Sequence, residues 1–220
     1  MTENEVTQKF PSLTVLTRKI ENISVSTTDP ILENLKTRVS DELRNSFKLE
    51  SLKDEPVFRA YRNFFWQIGI DPTKIRPAAE ALIRRVLNGK PLPRINTAVD
   101  AYNLASMVTR IALAAFDLEK IEGGITMRFS RAGESFLGIG MDKPLILTGA
   151  EIVMADASRL IAIYPHRDAD YSRTTLQTKN VMLISCGVPG ISPDQLKEAA
   201  EKASEFVVKF CGGTIEGAEH

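Results

Sequence analysis

The chain has 220 residues, 43% hydrophobic and 25% charged, with 28 basic residues balancing 28 acidic ones. That make-up describes one large soluble globular domain or two small ones, with enough residues for a substantial core. Zero net charge argues against an extended nucleic-acid coat, which needs many phosphate contacts. No apolar run of about 18 residues and no basic-then-apolar leader occur, so neither a membrane span nor a signal peptide is expected. The two cysteines, Cys186 and Cys211, form no C-x-x-C motif, and a cytoplasmic protein with reduced thiols is expected. The remaining strong soft-metal ligands are His166 and His220, so no zinc site and no other cofactor is expected.

Residues 1–10 read as a loose tail. Over 12–25, Leu13, Val15, Leu16, Ile20, Ile23 and Val25 alternate enough for one strand. Asp29-Pro30 opens a helix whose inward residues fall at Ile31, Leu35, Val39 and Leu43. A second helix spans Glu55 to Gln67, with Val57, Tyr61, Phe64 and Phe65 inward. A third opens at Asp71-Pro72-Thr73 and ends near Asn88-Gly89. Pro91 and Pro93 extend the connector, and Asn96 or Thr97 caps a fourth helix.

After Arg110 the texture changes to short β-branched runs between glycines. Strands are expected over Gly124–Phe129, Ser135–Ile139, Leu145–Leu147, Glu151–Met154, Arg159–Tyr164 and Val181–Cys186. Ser192-Pro193-Asp194 then caps a last amphipathic helix, closed by Gly212-Gly213. Helices first, then strands, then a helix point to an α+β fold, with no linker to divide it. The residues after Gly212 read as a second loose tail.

The stretch from Arg76 to Met107 carries the most chemical information. Arg76, Glu80 and Arg84 stand at i, i+4 and i+8, which makes either an ion-pair ladder or a rigid Arg clamp for a carboxylate or phosphate. On the fourth helix, Asn96, Asp100 and Asn103 fall within about 60° of arc on an otherwise apolar cylinder. Buried polar groups need partners, so these either fix the preceding turn or line a site. Among the strands, Glu134, Asp156, Arg167, Asp168, Thr174, Thr175 and Thr178 take loop or strand-end positions, and His166 reads as a surface loop residue. Residues 59–94 hold eight basic residues against two acidic ones, a net +6. Any RNA contact is therefore expected from Arg62, Arg84, Arg85, Lys90 and Arg94. No P-loop, no G-x-S-x-G elbow and no H-E-x-x-H occur.

Five phrases in order add a family resemblance. They are RPAAEALIRRVLNGKPLP, RINTAVDAYNLASM, AAFDLEKIEGGITMRFSRAGESFLGIG, EIVMADASRLIAI and RTTLQTKNVMLI. From about Phe58 to Gly187 the chain resembles the B3/B4 domain, the tRNA-editing module of the phenylalanyl-tRNA synthetase beta subunit, in its free-standing single-domain form. The resemblance implies a helix-flanked β-sandwich of unusual topology. It also implies a tRNA-associated function, with hydrolysis of misacylated aminoacyl-tRNA in trans as the enzymatic version. The chain is too short for the other synthetase parts and is not expected to aminoacylate tRNA. The resemblance carries over the Asn96 and Asp100 region, Glu134, Thr175 and Thr178 as pocket candidates, beside Arg76, Glu80 and Asn103 from the helix spacing; Arg76, Asn96, Asp100, Glu134 and Thr178 are expected to face one cavity between the helical layer and the sheet.

Two departures stand out. The family's editing-pocket His, which precedes the AFD-like word, is replaced by Ala114 or Ala115. The family's Gly-rich loop is replaced by YPHRDADYSRT. A non-catalytic module binding RNA or an amino acid, or an interaction domain that kept the fold, are the alternatives.

Overall fold

The computed structural model describes residues 2–217. Its centre is two four-stranded antiparallel sheets sharing a core. In the first, β1 (Val15–Glu21) and β9 (Val181–Cys186) lie side by side, flanked by β2 (Leu113–Asp117) and the short β10 (Thr214–Ile215), in the order β10-β1-β9-β2. The second runs β3 (Thr126–Phe129), β6 (Ile152–Ala155), β7 (Leu160–Ile163) and β8 (Arg167–Asp168). A two-stranded arm, β4 (Ser135–Phe136) with β5 (Leu145–Ile146), covers the second sheet's outer side. Strand alternation does the sorting. Ile152 and Met154 of β6 join the main core, while Val153 and Ala155 pack with Phe136 and Leu147 beneath the arm.

Helices flank this sandwich. They are α1 (Asn4–Lys9), α2 (Pro30–Ser46), α3 (Pro56–Gln67), α4 (Ala78–Leu87), α5 (Thr97–Thr109) and α6 (Pro193–Cys211). Helix α6 packs on α5, β1 and β9. A reciprocal capping box of Ser192 and Gln195 starts it, and Leu196, Ala199, Ala203 and Val207 form its buried stripe. Gly213 follows at φ +95°, with its Cα so close to the Glu21 carbonyl that a Cβ would lie 2.5 Å from that oxygen. Only glycine lets the chain turn there and return as β10 beside β1. The fold is α+β and single-domain, as the order of elements in the sequence implied, and a helix-flanked sandwich, as the resemblance implied.

Several local expectations change. Residues 2–10 are not a loose tail: α1 forms there, with Val6 fully buried, and the Glu3 N–H donates to the Met127 carbonyl at 2.9 Å. Residues 214 and 215, also expected to be loose, pair with β1; residues 218–220, including His220, lie outside the described residues. Ile31 is 65% exposed, and α2 instead buries Leu32, Lys36, Val39 and Leu43, the spacing that a period of 3.6 requires. The third helix begins only at Ala78. Asp71-Pro72-Thr73 forms an Asx turn in which Asp71 accepts from Thr73 N–H at 2.8 Å, and Pro77 precedes the first helical residue.

Candidate functional site

Strand β8 builds the site. His166 stands in the turn that leads into it, and Arg167 and Asp168, its two residues, alternate. Arg167 turns outward and donates to the Ile139 carbonyl at 3.2 Å. His166 and Asp168 enter a small pocket between the two sheets. Leu113, Ala114 and Phe116 of β2 form one wall. Met154, Ala162 and Tyr164 form the other, and Ala78, the first residue of α4, lies at its margin. The volume is about 60 Å³.

The walls are held in place. Tyr164 donates its hydroxyl to the Gly187 carbonyl at 2.5 Å, and its ring meets Phe64 edge-on at 6.4 Å. Tyr61 donates to the Cys186 carbonyl at 2.5 Å and accepts from Ala112 N–H at 3.1 Å, which ties α3 to the start of β2. A Cβ at Gly187 would stand 2.5 Å from the Thr14 carbonyl oxygen, so glycine is needed where the Tyr164 hydroxyl docks.

The two polar groups of the pocket are unsatisfied. The Asp168 carboxylate makes no hydrogen bond to any described residue. Burial pushes its carboxyl up to about 7. Asp168 keeps some exposed surface, but protein atoms surround it on the scale that sets hydration. The Nδ1 of His166 is buried with no partner among the described residues. Burial, with Arg167 adding to it, lowers the imidazole to about 4, so the ring is neutral at pH 7. Native structures seldom leave a buried polar atom unpaired, and His166 Nδ1, in the same pocket as the unpartnered Asp168 carboxylate, marks it for a ligand or water. Cys186 also lines the pocket, but burial drives its thiol far above the usual range and it stays protonated and inert.

A larger groove, about 610 Å³, opens on the outer side of the second sheet. Its charged groups are mostly spent on one another. Arg128 grips Glu134 through two bonds of 2.7 and 2.9 Å, which lowers the Glu134 carboxyl. Asp156 accepts from the backbone N–H groups of Glu122, Ser158 and Arg159 and from the Tyr171 hydroxyl. Arg159 lies over the Tyr171 ring at 3.9 Å and pairs with Glu122. This groove is about ten times roomier than the small pocket, but the unpaired His166 Nδ1 is found in the small pocket.

The residues singled out in the sequence do not share one cavity. Glu80, fully buried, pairs with Arg62 at 3.0 Å and Arg84 at 3.9 Å, and Arg76 sits exposed in the turn before α4, outside any ladder. Asn96 caps α5, accepting from Val99 N–H at 2.9 Å, and donates to the Thr174 carbonyl at 3.3 Å. Asp100 accepts from Lys36 at 2.7 Å and from Ile95 N–H at 3.1 Å. Lys36 spends its other protons on Glu33 and the Pro93 carbonyl. Asn103 borders a void of about 10 Å³, room for about one water. Thr178 donates to Asp117 at 2.7 Å and accepts from Thr175 N–H at 2.9 Å, fixing the segment that runs beside β2. Glu134 lies in the outer groove. Of these groups, Asn96, Asp100 and Thr178 are scaffolding. His166, expected at the surface, lies in the pocket instead. The local signal for it is the word HRD in the segment that replaces a Gly-rich loop, where a turn residue and a strand residue two apart are both titratable.

Of the basic candidates, Arg62 and Arg84 serve Glu80, and Arg94 pairs with Glu33 at 2.7 Å. Arg85 and Lys90 are exposed, Arg85 donating to the Pro91 carbonyl. The described residues hold no group of three or more His, Cys, Asp or Glu side chains arranged to bind a metal ion. None of the described helices is long and apolar enough to cross a membrane.

A two-sheet α+β sandwich with a pocket in its seam defines the class. The chain belongs to the B3/4 domain family, whose profile matches residues 60–212. It is 28% identical over 156 residues to the phenylalanine–tRNA ligase beta subunit of Chromobacterium violaceum, covering 60% of this chain and 20% of that subunit. Against the corresponding subunit of Pseudomonas fluorescens it is 33% identical over 91 residues, 41% of this chain and 11% of the subunit. The chain therefore spans about a fifth or less of the length of these relatives. An N-terminal fragment of the phenylalanyl-tRNA synthetase beta subunit from Pyrococcus horikoshii superposes with a TM-score of 0.52 over 97% of this chain and 49% of that one, at 12% identity, a likeness of fold alone.

Proposed function

We propose that this chain hydrolyses the ester bond of misacylated aminoacyl-tRNA in trans. The supporting observation is the pocket that His166, Asp168 and Ala114 line together, in which His166 Nδ1 is buried without a partner among the described residues. Ala114 is one of the two positions where the resemblance expects a pocket His. In this chain a His reaches the same pocket from β7–β8 instead.

The chemistry needs a base, a positioned water and a shaped pocket. Ionised Asp168 takes a proton from water, whose oxygen bonds to the ester carbonyl carbon. The carbon–oxygen bond to the ribose breaks, and the ribose oxygen leaves with the proton returned from Asp168. Neutral His166 accepts a hydrogen bond and orients the water. The products are free amino acid and uncharged tRNA. A base with a pKa near 7 is well matched to this work at neutral pH. RNA contacts fall to Arg76, Arg85 and Lys90, which are exposed on the α4 side; Arg76 is two residues from Ala78 at the pocket margin.

A binding module that holds an amino-acid-like ligand without cleaving it is the second reading. It is favoured by the diversion of Arg62, Arg84 and Arg94 into ion pairs, which leaves few cations for tRNA. Single-turnover deacylation across a panel of misacylated tRNAs separates the two. Wild type should release amino acid from at least one, and Asp168→Asn should lose about 10²–10³ in rate while keeping its circular dichroism spectrum. Release by Asp168→Asn at the wild-type rate would remove Asp168 from the mechanism. No release from any tRNA by wild type would leave the binding reading.

A further inference from the structure

We infer that the pocket selects small amino-acid side chains, of the size of alanine, serine or threonine, and excludes aromatic ones; this rests on the proposal that the pocket receives the aminoacyl group. The volume decides it. A cavity that holds benzene measures about 150 Å³, whereas this pocket measures about 60 Å³. A benzyl or hydroxybenzyl side chain is larger than benzene and does not fit a pocket of this size, whereas a methyl or hydroxymethyl group does.

The walls give little freedom to widen. Phe116 is fully buried and Met154 nearly so. Tyr164 is held at its hydroxyl by Gly187 and at its ring by Phe64, and Ala162 sits within a paired strand. Close-packed interiors resist the disruption of several such walls at once, so the limit on size is a property of the folded chain. The lining is apolar apart from His166 and Asp168. Such a surface accepts a methyl and does not strongly reject an added hydroxyl, which sets the class as small aliphatic or hydroxylated side chains.

The test pairs turnover with binding. Single-turnover deacylation is measured with tRNAs charged with alanine, serine, threonine, phenylalanine or tyrosine. In parallel, the thermal shift produced by L-alaninamide is compared with that of L-phenylalaninamide at equal concentration. Small aminoacyl groups should be released at least about tenfold faster than aromatic ones, and alaninamide alone should stabilise the protein. Filling the pocket with Ala114→Leu should abolish both effects. Opening it with Met154→Ala should let phenylalaninamide bind; if that variant does not fold, Ala162→Gly is the milder widening and carries the same expectation. Release of phenylalanine or tyrosine as fast as alanine would overturn the size limit while leaving the hydrolase reading intact. No release from any tRNA, together with stabilisation by alaninamide only, would keep the size limit and overturn the hydrolase reading. Equal stabilisation by both amides, or by neither, with no release, would overturn both.

Discussion

Replacing Asp168 with asparagine should make the protein more stable at high pH, and only there. The free carboxyl has an ordinary value of 3.8, and in the fold it is raised to about 7. Between those values the folded protein holds a proton that the unfolded chain has lost. Stability therefore falls as pH rises from about 4 to about 7, then levels off once both states are ionised. A tenfold change in proton affinity is worth about 1.4 kcal/mol, so a rise from 3.8 to about 7 sets a ceiling of about 4 kcal/mol. Water entering the pocket reduces this, and the expected gain for Asp168→Asn at pH 8 is on the order of 2–4 kcal/mol. Near pH 4 the gain should vanish. His166 titrates in an overlapping window with the opposite sign: lowered from 6.5 to about 4, it costs stability as pH falls between those values. That contribution is common to both proteins and cancels in the difference. Urea unfolding of both proteins at about pH 4.5, 6 and 8 gives the difference directly. An asparagine variant that is no more stable than wild type at pH 8, or a difference independent of pH, would refute a desolvated, unpartnered carboxylate. A gain in stability from deleting this group would also fit a site that keeps a strained group for use.

Other consequences can be tested separately. Lys36→Met leaves Asp100 buried without its 2.7 Å partner and should cost about 3–5 kcal/mol in urea unfolding, while adding Asp100→Leu should recover much of the loss. A single variant as stable as wild type would contradict the buried pair. Arg76→Glu with Lys90→Glu should weaken tRNA binding in anisotropy titrations, without a change in unfolding midpoint. The salt slope should fall by about 0.7–0.9 for each phosphate that is no longer neutralised. An unchanged slope would move the RNA surface elsewhere. Cys186 should resist alkylation in the folded protein and react only after denaturation, because burial raises its thiol. Rapid labelling of native Cys186 would show a far more open pocket.

Legibility in the sequence follows the range of the interactions. Strand β9 has the expected bounds Val181–Cys186, and α6 begins at the expected cap, because alternation and caps are written locally. Asn96 stands out as a cap candidate for the same reason, and it caps. Strand β2 is not marked as a strand in the sequence. Its five residues, LAAFD, are all buried, so no alternation reveals it. The expected third helix is too long because Asp71-Pro72-Thr73 resembles a cap, and the turn it makes ends before Pro77. In the site, polar residues on apolar helices draw attention, yet Glu80 and Asp100 prove to be committed to Arg62, Arg84 and Lys36. Asp168 looks like a solvated loop charge in HRDAD. The pocket it lines is shared with β2 and Cys186, brought together by the closing of two sheets, and no local pattern carries that information. The family resemblance locates the region and marks Ala114 as a departure, but only the fold puts His166 and Asp168 in the same pocket.

The pH dependence of single-turnover deacylation tests most directly whether Asp168 acts as a base in this pocket. Wild type should show a rate that rises about tenfold per pH unit below 7 and levels off above it, the profile of one base with the raised value of Asp168. Asp168→Asn should be slow throughout and lack the inflection near 7. A wild-type profile without an inflection near 7, or an Asp168→Asn profile that keeps it, would contradict the account.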